Sequence, residues 1–412
     1  MRFSYGDREF TNQEEITVAY PAAEKVPAAP GYYAPAESNS GALVKIVALL
    51  LGLLVGVLAI VSVLMWADAH GDTSVVAASS AAATAPSMPG MAAPQTAAAE
   101  GAYPTPSFAG LAPANADALA AAHAAVPAEL PALTAGPVVS VNLGISHEVI
   151  QVAPGITYDA WTFDGGVPGP VVHARQGQTV KVTLTNNSPM PHSIDFHAAQ
   201  VAPNLDFVDV LPGKSFTFSF KADVPGVFMY HCGTKPVLAH IANGMYGAIV
   251  VDPADSSLLP PAHHSYVLVA GEWYLNGSGL DKPASLDMVK AHQMTPDWVT
   301  WNGYAGQYVK HPLEAHPGHL ARFYVVDAGP SLNTTFHVVG TVFKRAWVDG
   351  GVADAPETGV QTVTVPAGGG AIFDVQIDKP GLYPFVSHSF ASVDMGEVGL
   401  LKVGDVAGTM SH

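Results

Sequence analysis

The sequence predicts an all-β protein built from two β-sandwiches in tandem. From residue 137 onward, short runs rich in Val, Ile, Tyr, Phe and Thr are separated by Gly, Pro, Asn and Asp about every ten residues, which is typical of a β-sandwich. No long helical pattern competes with these runs. One stretch also occurs twice, first near residue 210 and again near residue 365, and such a repeat indicates two copies of one unit.

The repeat defines the two predicted domains. Residues 210–232 resemble residues 365–389 in the order of their apolar, glycine and proline positions. A chain of 412 residues is long enough for two ordinary domains plus appendages. We therefore predict one sandwich at residues 137–255 and the other at residues 262–405.

Three segments precede the predicted domains. Residues 1–41 are rich in Pro, Ala, Glu and Tyr without periodicity, which predicts a disordered tail. Within a predicted anchor at residues 42–67, the 21-residue run Ile46–Trp66 carries no charge. At ~1.5 Å per residue this run is long enough to cross a membrane core of ~30 Å. Residues 68–136 are dominated by Ala, Pro, Ser and Gly and predict a disordered tether.

Two details of the tether are separate predictions. Residues 116–125 favour a short helix, and Asn115 precedes them as a suitable N-cap. Met88 and Met91 offer thioether groups, but the sequence assigns them no role beyond that of linker residues.

The basic residues predict how the anchor is oriented. Four Lys and Arg residues precede the apolar run, and the next one in the chain is Arg175. Because positive charge is retained on the cytoplasmic side, we predict a single-pass cell-membrane protein with a cytoplasmic N-terminus and extracytoplasmic domains. A cleaved signal peptide is the less favoured alternative, since its apolar region usually has only about 7 to 15 residues.

The net charge limits the possible partners. A formal net charge of −17 argues against nucleic acid and against an anionic membrane surface as a partner. It does not exclude an anionic substrate, because the local potential at a metal ion outweighs a distant surface average.

The only cysteine of the chain, Cys232, cannot form an internal disulfide, so it is either a small buried apolar residue or a thiolate with a chemical role. Its neighbours favour the thiolate, because His240 and Met245 follow closely. With one further histidine, best sought at His192, these side chains form the His2Cys set with a weak axial Met that binds blue copper.

Strand parity predicts a second site beside the first. Side chains of a strand alternate between its two faces, so Asp195 and His197 point away from His192. The same rule separates His231 from Cys232. Adjacent residues are therefore expected to serve two different sites, one inside the domain and one on its outer face.

The second copy of the repeat has lost the soft ligands. Matching the histidines of the two copies aligns His388 with His231 and places Ser389 opposite Cys232, while Glu397 stands where the first copy has a methionine. No sulfur ligand remains there to hold copper. Histidines that survive this loss are what we expect if the second domain completes a site at an interface.

On these residues, the segment 138–405 resembles copper-containing nitrite reductases of the two-domain cupredoxin type. The motifs that carry the resemblance are His192-Ser-Ile-Asp195-Phe-His197, Tyr230-His231-Cys232-Gly, His240-Ile-Ala-Asn-Gly-Met245-Tyr-Gly, Phe336-His337-Val-Val339-Gly and Val386-Ser-His388. The resemblance implies two tandem cupredoxin-like Greek-key sandwiches and two copper ions per chain.

The resemblance also implies a role for each site residue. The type 1 copper, where the electron enters, would be held by His192, Cys232, His240 and Met245. The type 2 copper, where the reaction takes place, would be held by His197, His231 and His388, with His388 supplied by the neighbouring subunit of a homotrimer. Asp195 and His337 would relay protons, and Val339 would cap the substrate position.

The implied reaction is the reduction of nitrite to nitric oxide, with the electron passing from the type 1 copper through Cys232 and His231 to the type 2 copper. The chain contains no Cys-x-x-Cys-His haem motif, so a separate cupredoxin or cytochrome c is the expected electron donor.

Two other functions compete with nitrite reduction. A laccase-like multicopper oxidase would need paired His-x-His motifs, and the chain has none. A non-catalytic blue-copper electron carrier would need only the first site and would leave the second set of histidines without a role. Five further histidines are interpreted as surface or loop residues, namely His263, His264, His311, His316 and His319.

Overall fold

The computed structural model describes residues 113–406, apart from the side chain of Asp206. The predicted tail, the predicted membrane anchor and most of the predicted tether, including Met88 and Met91, lie outside the described residues. Among the helices of residues 113–406, none combines the length and the apolar character needed to cross a membrane.

Short strands dominate the described part of the chain. The first sandwich contains β1 (Val138–Ala153), β2 (Ile156–Phe163), β3 (Val172–Arg175), β4 (Thr179–Asn186), β5 (Asp195–Phe196), β6 (Ser215–Lys221), β7 (Gly226–His231) and β8 (Tyr246–Asp252). The remaining strands are β9 (His264–Trp273), β10 (Leu275–Asn276), β11 (Ser285–Leu286), β12 (Trp298–Trp301), β13 (Leu313–Ala315), β14 (Leu320–Asp327), β15 (Thr334–Val338), β16 (Arg345–Trp347), β17 (Thr362–Val365), β18 (Gly370–Gln376), β19 (Gly381–Ser387) and β20 (Val398–Val403). The helices are α1 (Ala116–Ala122), α2 (Pro203–Asp206), α3 (Val237–Ala242), α4 (Met288–Gln293), α5 (Gln307–Lys310) and α6 (Phe390–Asp394).

The two sandwiches share one strand order. The first pairs a β2-β1-β4-β6 sheet with a β3-β8-β7-β5 sheet, and the second pairs β12-β9-β14-β18-β16 with β13-β20-β19-β15-β17. Parallel contacts recur at equivalent places, β1 with β4 as β9 with β14, and β3 with β8 as β13 with β20. The predicted all-β class and the predicted internal repeat are therefore confirmed.

Hydrophobic burial explains why the sandwiches are joined firmly. All eight residues of β14 are buried, because its two faces pack into different cores. Phe323 and Val325 face the core of the second sandwich, whereas Tyr324 and Val326 belong to an apolar cluster shared with Val227 of β7 and other residues of the first sandwich. Strand β7, which leads into Cys232, is thus held by apolar packing on the second domain.

The strand ladders fix how the two repeats correspond. Tyr230 pairs with Gly247 in the first sandwich, and Phe385 pairs with Gly399 in the second. In each pair the aromatic ring lies where a glycine Cβ would be, so any larger residue would overlap it. Because the two pairs are equivalent, Phe385 corresponds to Tyr230.

This correspondence corrects the alignment made from the sequence. Two residues beyond Phe385 is Ser387, so Ser387 rather than Ser389 stands at the position of Cys232. His388 is consequently not the structural counterpart of His231, which is Val386. The position of Glu397 opposite the methionine is confirmed. The backbone N–H of Ser387 donates to the carbonyl oxygen of Glu397, just as the N–H of Cys232 donates to the carbonyl oxygen of Met245. Matching the histidines had shifted the alignment by two residues.

Buried carboxylates occupy the region of the second sandwich that corresponds to the soft ligands of the first. Glu272, Asp327 and Glu397 are each at most 2% exposed. They line a cavity of about 10 Å³, which is room for one water molecule. Burial raises the pKa of Glu397 to about 8. Burial also raises the pKa of Asp327 and that of Glu272.

We expect the raised pKa values of these carboxyl groups to make the folded protein less stable as the pH rises. Glu397 is the residue on which this can be tested. Its folded pKa of about 8 lies above its ordinary value of 4.5, so the folded chain binds a proton that the unfolded chain releases above pH 4.5. The stabilisation is complete below that pH and is lost as the pH rises through 8. The unfolding midpoint of Glu397→Gln should therefore fall less than that of the parent between pH 5 and pH 8. Thermal melts across this range measure the difference, and Glu314→Gln, at an exposed glutamate, is the control. Equal pH slopes for parent and Glu397→Gln would contradict the assignment.

Part of the segment placed in the tether packs on the second sandwich. Helix α1 lies within the predicted helix 116–125, with Asn115 at the N-cap position but without a side-chain capping bond. Further along, the backbone N–H of Val126 donates to Gln307 Oε1 at 2.8 Å, and Glu129 forms a β-bridge with Tyr266. Residues 113–136 are therefore attached to the folded body.

Candidate metal centres

Three side chains converge inside the first sandwich, those of His192, Cys232 and His240. Met245 belongs to the same apolar core as Cys232, and we call these four residues the buried centre. His192 forms a β-bridge with Val210, Cys232 directly follows β7, and His240 lies on α3. The loop is closed by backbone bonds, from Cys232 N to Met245 O at 3.0 Å and from Met245 N to His240 O at 3.1 Å. All four side chains are fully buried.

The donor atoms of the buried centre are spaced for one metal ion. The Nδ1 atoms of His192 and His240 lie 3.0 Å apart. The sulfur of Cys232 lies 3.2 Å from the nitrogen of His240 and 3.8 Å from that of His192. Three lone-pair donors that face one another in a buried space fit a soft cation, and one thiolate with two imidazoles is the set that copper prefers.

The surroundings keep the two imidazoles neutral, as metal ligation requires. Burial lowers the pKa of His192 to about 3, and His240 adds to the effect. Burial likewise lowers the pKa of His240 to about 4. Trp161 covers both imidazoles edge-on, with ring centres 5.5 Å and 4.9 Å away, and stacks on His147.

A hydrogen-bond chain supports the sulfur. Burial raises the pKa of the Cys232 thiol, whereas the backbone N–H groups of Ser193 and Thr234 act to lower it. The Ser193 N–H donates to the sulfur at 3.4 Å, and the Thr234 hydroxyl is bonded to Asp209 at 2.6 Å and to the Ser193 hydroxyl at 3.1 Å. A buried thiol needs a nearby cation to become a thiolate, which is consistent with a metal ion here.

A second group, the outer centre, lies on the opposite face of the same strands and consists of Asp195, His197 and His231. The Nε2 atoms of the two histidines lie 3.1 Å apart, and Asp195 Oδ2 lies 3.9 Å from His231 Nε2. His231 Nδ1 donates to the carbonyl oxygen of Cys232 at 2.9 Å, which leaves the lone pair on Nε2. On the other ring, His197 is hydrogen-bonded to the backbone of Gly368 in the second sandwich.

These are the two groups that strand parity separated. Among residues 113–406, they are the only groups of three or more His, Cys, Asp or Glu donors that converge within 4.8 Å. Because Cys232 and His231 are neighbours in the chain, a single peptide unit joins the buried centre to the outer centre.

The other predicted residues of the outer centre lie apart from it. His337 is on β15, where its Nδ1 donates to the carbonyl oxygen of Gln361 at 2.6 Å. His388 follows β19, is exposed, and has its ring centre 5.5 Å from that of His337. Val339 is 39% exposed. One chain therefore presents two separate halves, with the third predicted histidine ligand on a surface of the second sandwich.

Sequence reasoning missed the residues that support the ligands. His147 lies on β1 and Trp161 on β2, far from the ligand loop in the chain, and Gly368 belongs to the second sandwich. Nothing in their local pattern distinguishes them from ordinary strand and turn residues. Ser193, directly after His192, and Thr234, two residues after the cysteine, are the supports whose positions beside the ligands could have suggested their role.

Comparisons with known proteins agree with this geometry. A family model described as multicopper oxidase matches residues 145–256. The copper-containing nitrite reductase of Neisseria gonorrhoeae is 40% identical over 271 residues, which cover 64% of this chain and 68% of that protein. The solved copper nitrite reductase of Nitrosomonas europaea is 36% identical with a TM-score of 0.61, covering 65% of this chain and 94% of that one. The Cu-containing nitrite reductase of Thermus scotoductus SA-01 is 28% identical with a TM-score of 0.59, covering 66% of this chain and 63% of that one. Since the relationship at 40% identity extends over more than two thirds of the relative, the chain belongs to the copper-containing nitrite reductases.

Proposed function

We propose that the chain reduces nitrite to nitric oxide with copper in both centres. The buried centre supplies the type 1 ligands His192, Cys232, His240 and Met245. The outer centre supplies His197 and His231 to the type 2 copper. The observation that carries this proposal is the direct covalent connection of two convergent donor sets through the Cys232–His231 peptide, because an enzyme that accepts electrons at one centre and uses them at another needs such a path.

The reaction sets the requirements for the outer centre. Nitrite, one electron and two protons give nitric oxide and water, so the site must bind an anion, receive an electron and provide acid–base groups. Bound copper would supply the one-electron chemistry and an exchangeable position for nitrite. The protein residues orient the two imidazoles, keep their Nε2 lone pairs directed at one point, and place a carboxylate beside them.

The third ligand of the outer centre is proposed to come from a neighbouring subunit. In one chain the outer centre has two histidines, and His388 stands exposed on the second sandwich beside His337. A second copy of the chain could bring His388 to the outer centre through a heterologous contact, and such contacts form a ring when the rotation between subunits closes. We propose a homotrimer in which each type 2 site is shared between two subunits, with His337 and Val339 arriving on the same surface as His388.

The two proposed proton carriers then face the substrate from different subunits. Asp195 contributes from the chain that holds His197 and His231, and His337 from the chain that holds His388. The bond from His337 Nδ1 to the Gln361 carbonyl fixes the tautomer that leaves Nε2 as the proton acceptor. Val339, being apolar and partly exposed, is the proposed cap over the substrate position.

Electrons are proposed to come from a separate cupredoxin or cytochrome c. The proposed location remains that of the sequence analysis, with a single membrane anchor at residues 42–67, a cytoplasmic N-terminus and extracytoplasmic sandwiches. The most direct experiment on the function counts copper in the full-length protein and measures nitric oxide formed from nitrite. About two copper ions per chain and nitrite-dependent nitric oxide are expected, and a protein that holds the copper but forms no nitric oxide would refute the proposal.

Replacing the proton carriers should slow turnover without removing metal. Asp195→Asn and His337→Ala should each lower nitrite turnover about 10² to 10⁴-fold, the usual contribution of general acid–base catalysis. Neither residue is a proposed ligand, so copper content and visible colour should match the parent. Steady-state kinetics across the pH range, with copper analysis of each variant, make the measurement.

The matched control is Asp223→Asn, at an exposed aspartate in the turn between β6 and β7, at the end of β7 remote from Cys232. It should leave turnover unchanged. Parental turnover by Asp195→Asn and His337→Ala at every pH, with unchanged copper, would remove both residues from the mechanism.

A further inference from the structure

A third group of histidines lies on the second sandwich, outside both centres. We call it the histidine triad: His264, His316 and His319. From the sequence, these residues are interpreted only as surface or loop residues. The structure brings their rings together, with His263 stacked on His319 at a ring-centre distance of 4.2 Å.

Strand pairing creates the triad. His264 begins β9 and pairs with Ala321 of the parallel neighbour β14, which places it beside the turn that enters β14. That turn is His316-Pro-Gly-His319, and it is closed by a bond from His319 N to His316 O at 3.0 Å. Gly318 has φ +76°, a conformation that glycine adopts without strain. The turn thus holds two imidazoles next to a third on the sheet edge.

The rings of the triad are spaced like those of a metal site. Their centres are 5.5 Å apart for His264 and His316, 6.0 Å for His264 and His319, and 5.3 Å for His316 and His319. The two centres described above allow a comparison within the same chain. Their histidine ring centres are 4.9 Å apart for His192 and His240 and 5.1 Å apart for His197 and His231. The triad is therefore only slightly wider than the two centres described above.

One nitrogen of the triad has no partner. His264 Nε2 is buried and makes no hydrogen bond to any described residue, and a buried polar atom without a partner is unfavourable. Partial burial lowers the pKa of His264, and His316 and His319 add to this effect, which favours the neutral ring that binds metal. His263 differs, because its Nδ1 already accepts the N–H of Leu320 at 3.1 Å.

We propose that the histidine triad binds one divalent late transition-metal ion, of the class of Cu²⁺ or Zn²⁺, as a third metal site of the chain. Imidazole is a ligand that suits both ions. The donor nitrogens do not converge as closely as those of the two centres. His316 is exposed and His319 is half-buried on a surface turn, so their rings can turn toward a bound ion at the cost of side-chain entropy.

Zinc is the probe that separates this site from the proposed copper centres. Full-length protein without a histidine tag is loaded with copper and then dialysed until about two copper ions per chain remain, so that the triad is free of copper. It is next titrated with Zn²⁺ and freed of excess metal, after which zinc and copper are counted separately. We expect about one zinc ion per chain with copper unchanged. His316→Ala combined with His319→Ala should weaken zinc binding at least about ten- to a hundredfold, without changing copper content or nitrite turnover.

The matched control is His292→Ala, which removes an exposed histidine of α4 and should keep the zinc. The unfolding midpoint of each variant verifies folding. The proposal is overturned if the parent retains no zinc, if zinc enters only as copper leaves, or if the double variant binds zinc as tightly as the parent. Because the readout is zinc content, none of these outcomes depends on nitrite reduction.

Discussion

Replacing Cys232 with alanine should abolish the visible colour of the copper-loaded protein and reduce nitrite turnover to background, while about one of two copper ions per chain remains. The sulfur is the only thiolate available to the buried centre and lies 3.2 Å from His240 Nδ1. Its loss removes the strong ligand and interrupts the path to His231. The outer centre keeps its own histidines, so the remaining ion should stay there.

The measurement combines copper analysis, visible absorption and nitric oxide formation. Ser387→Ala is the matched control, because Ser387 occupies the corresponding position of the second sandwich and is equally buried. It should keep both copper ions and the colour. If Cys232→Ala stayed coloured, the assignment of the buried centre as the type 1 site would be wrong.

Mixing two inactive variants should restore activity if the type 2 site is shared between subunits. His197→Ala and His388→Ala should each lose the type 2 copper and turnover when assembled alone. In a mixed ring, a complete site needs two neighbouring subunits of different kinds. The subunit that gives His197 must be the His388→Ala variant, and the subunit that gives His388 must be the His197→Ala variant. Random mixing of equal amounts makes about one quarter of the sites complete, and turnover should recover to about that fraction of the parent.

A control mixture makes the test specific. His197→Ala mixed with His231→Ala should recover nothing, because both ligands belong to the same half of the site and no arrangement of subunits restores them together. Coexpression with two different tags isolates the mixed trimers, in which one site of three is complete, so their turnover should reach about one third of the parent. Absence of recovery in the first mixture, or full activity of a monomer at high dilution, would show that His388 does not act between subunits.

Several parts of this protein could be predicted from the sequence because they depend on local regularities. The alternation of strand residues was sufficient to separate Cys232 from His231 and His192 from His197. Turn residues and apolar runs were sufficient for the sandwich class and for its repetition. Ligand type and spacing identified the buried centre, since a cysteine, a histidine and a methionine within one loop remain close in any fold.

The sequence alone determined the fold class, the repeat, the identity of the two donor sets and the family. The tertiary structure decided everything that depends on which distant strands lie side by side. Pairing of β19 with β20 corrected the alignment of Ser387, and burial in the second sandwich gathered Glu272, Asp327 and Glu397. Parallel pairing of β9 with β14 assembled the histidine triad. These contacts join residues tens of positions apart, and their register is set by the packing of whole sheets, for which a local pattern carries no signal.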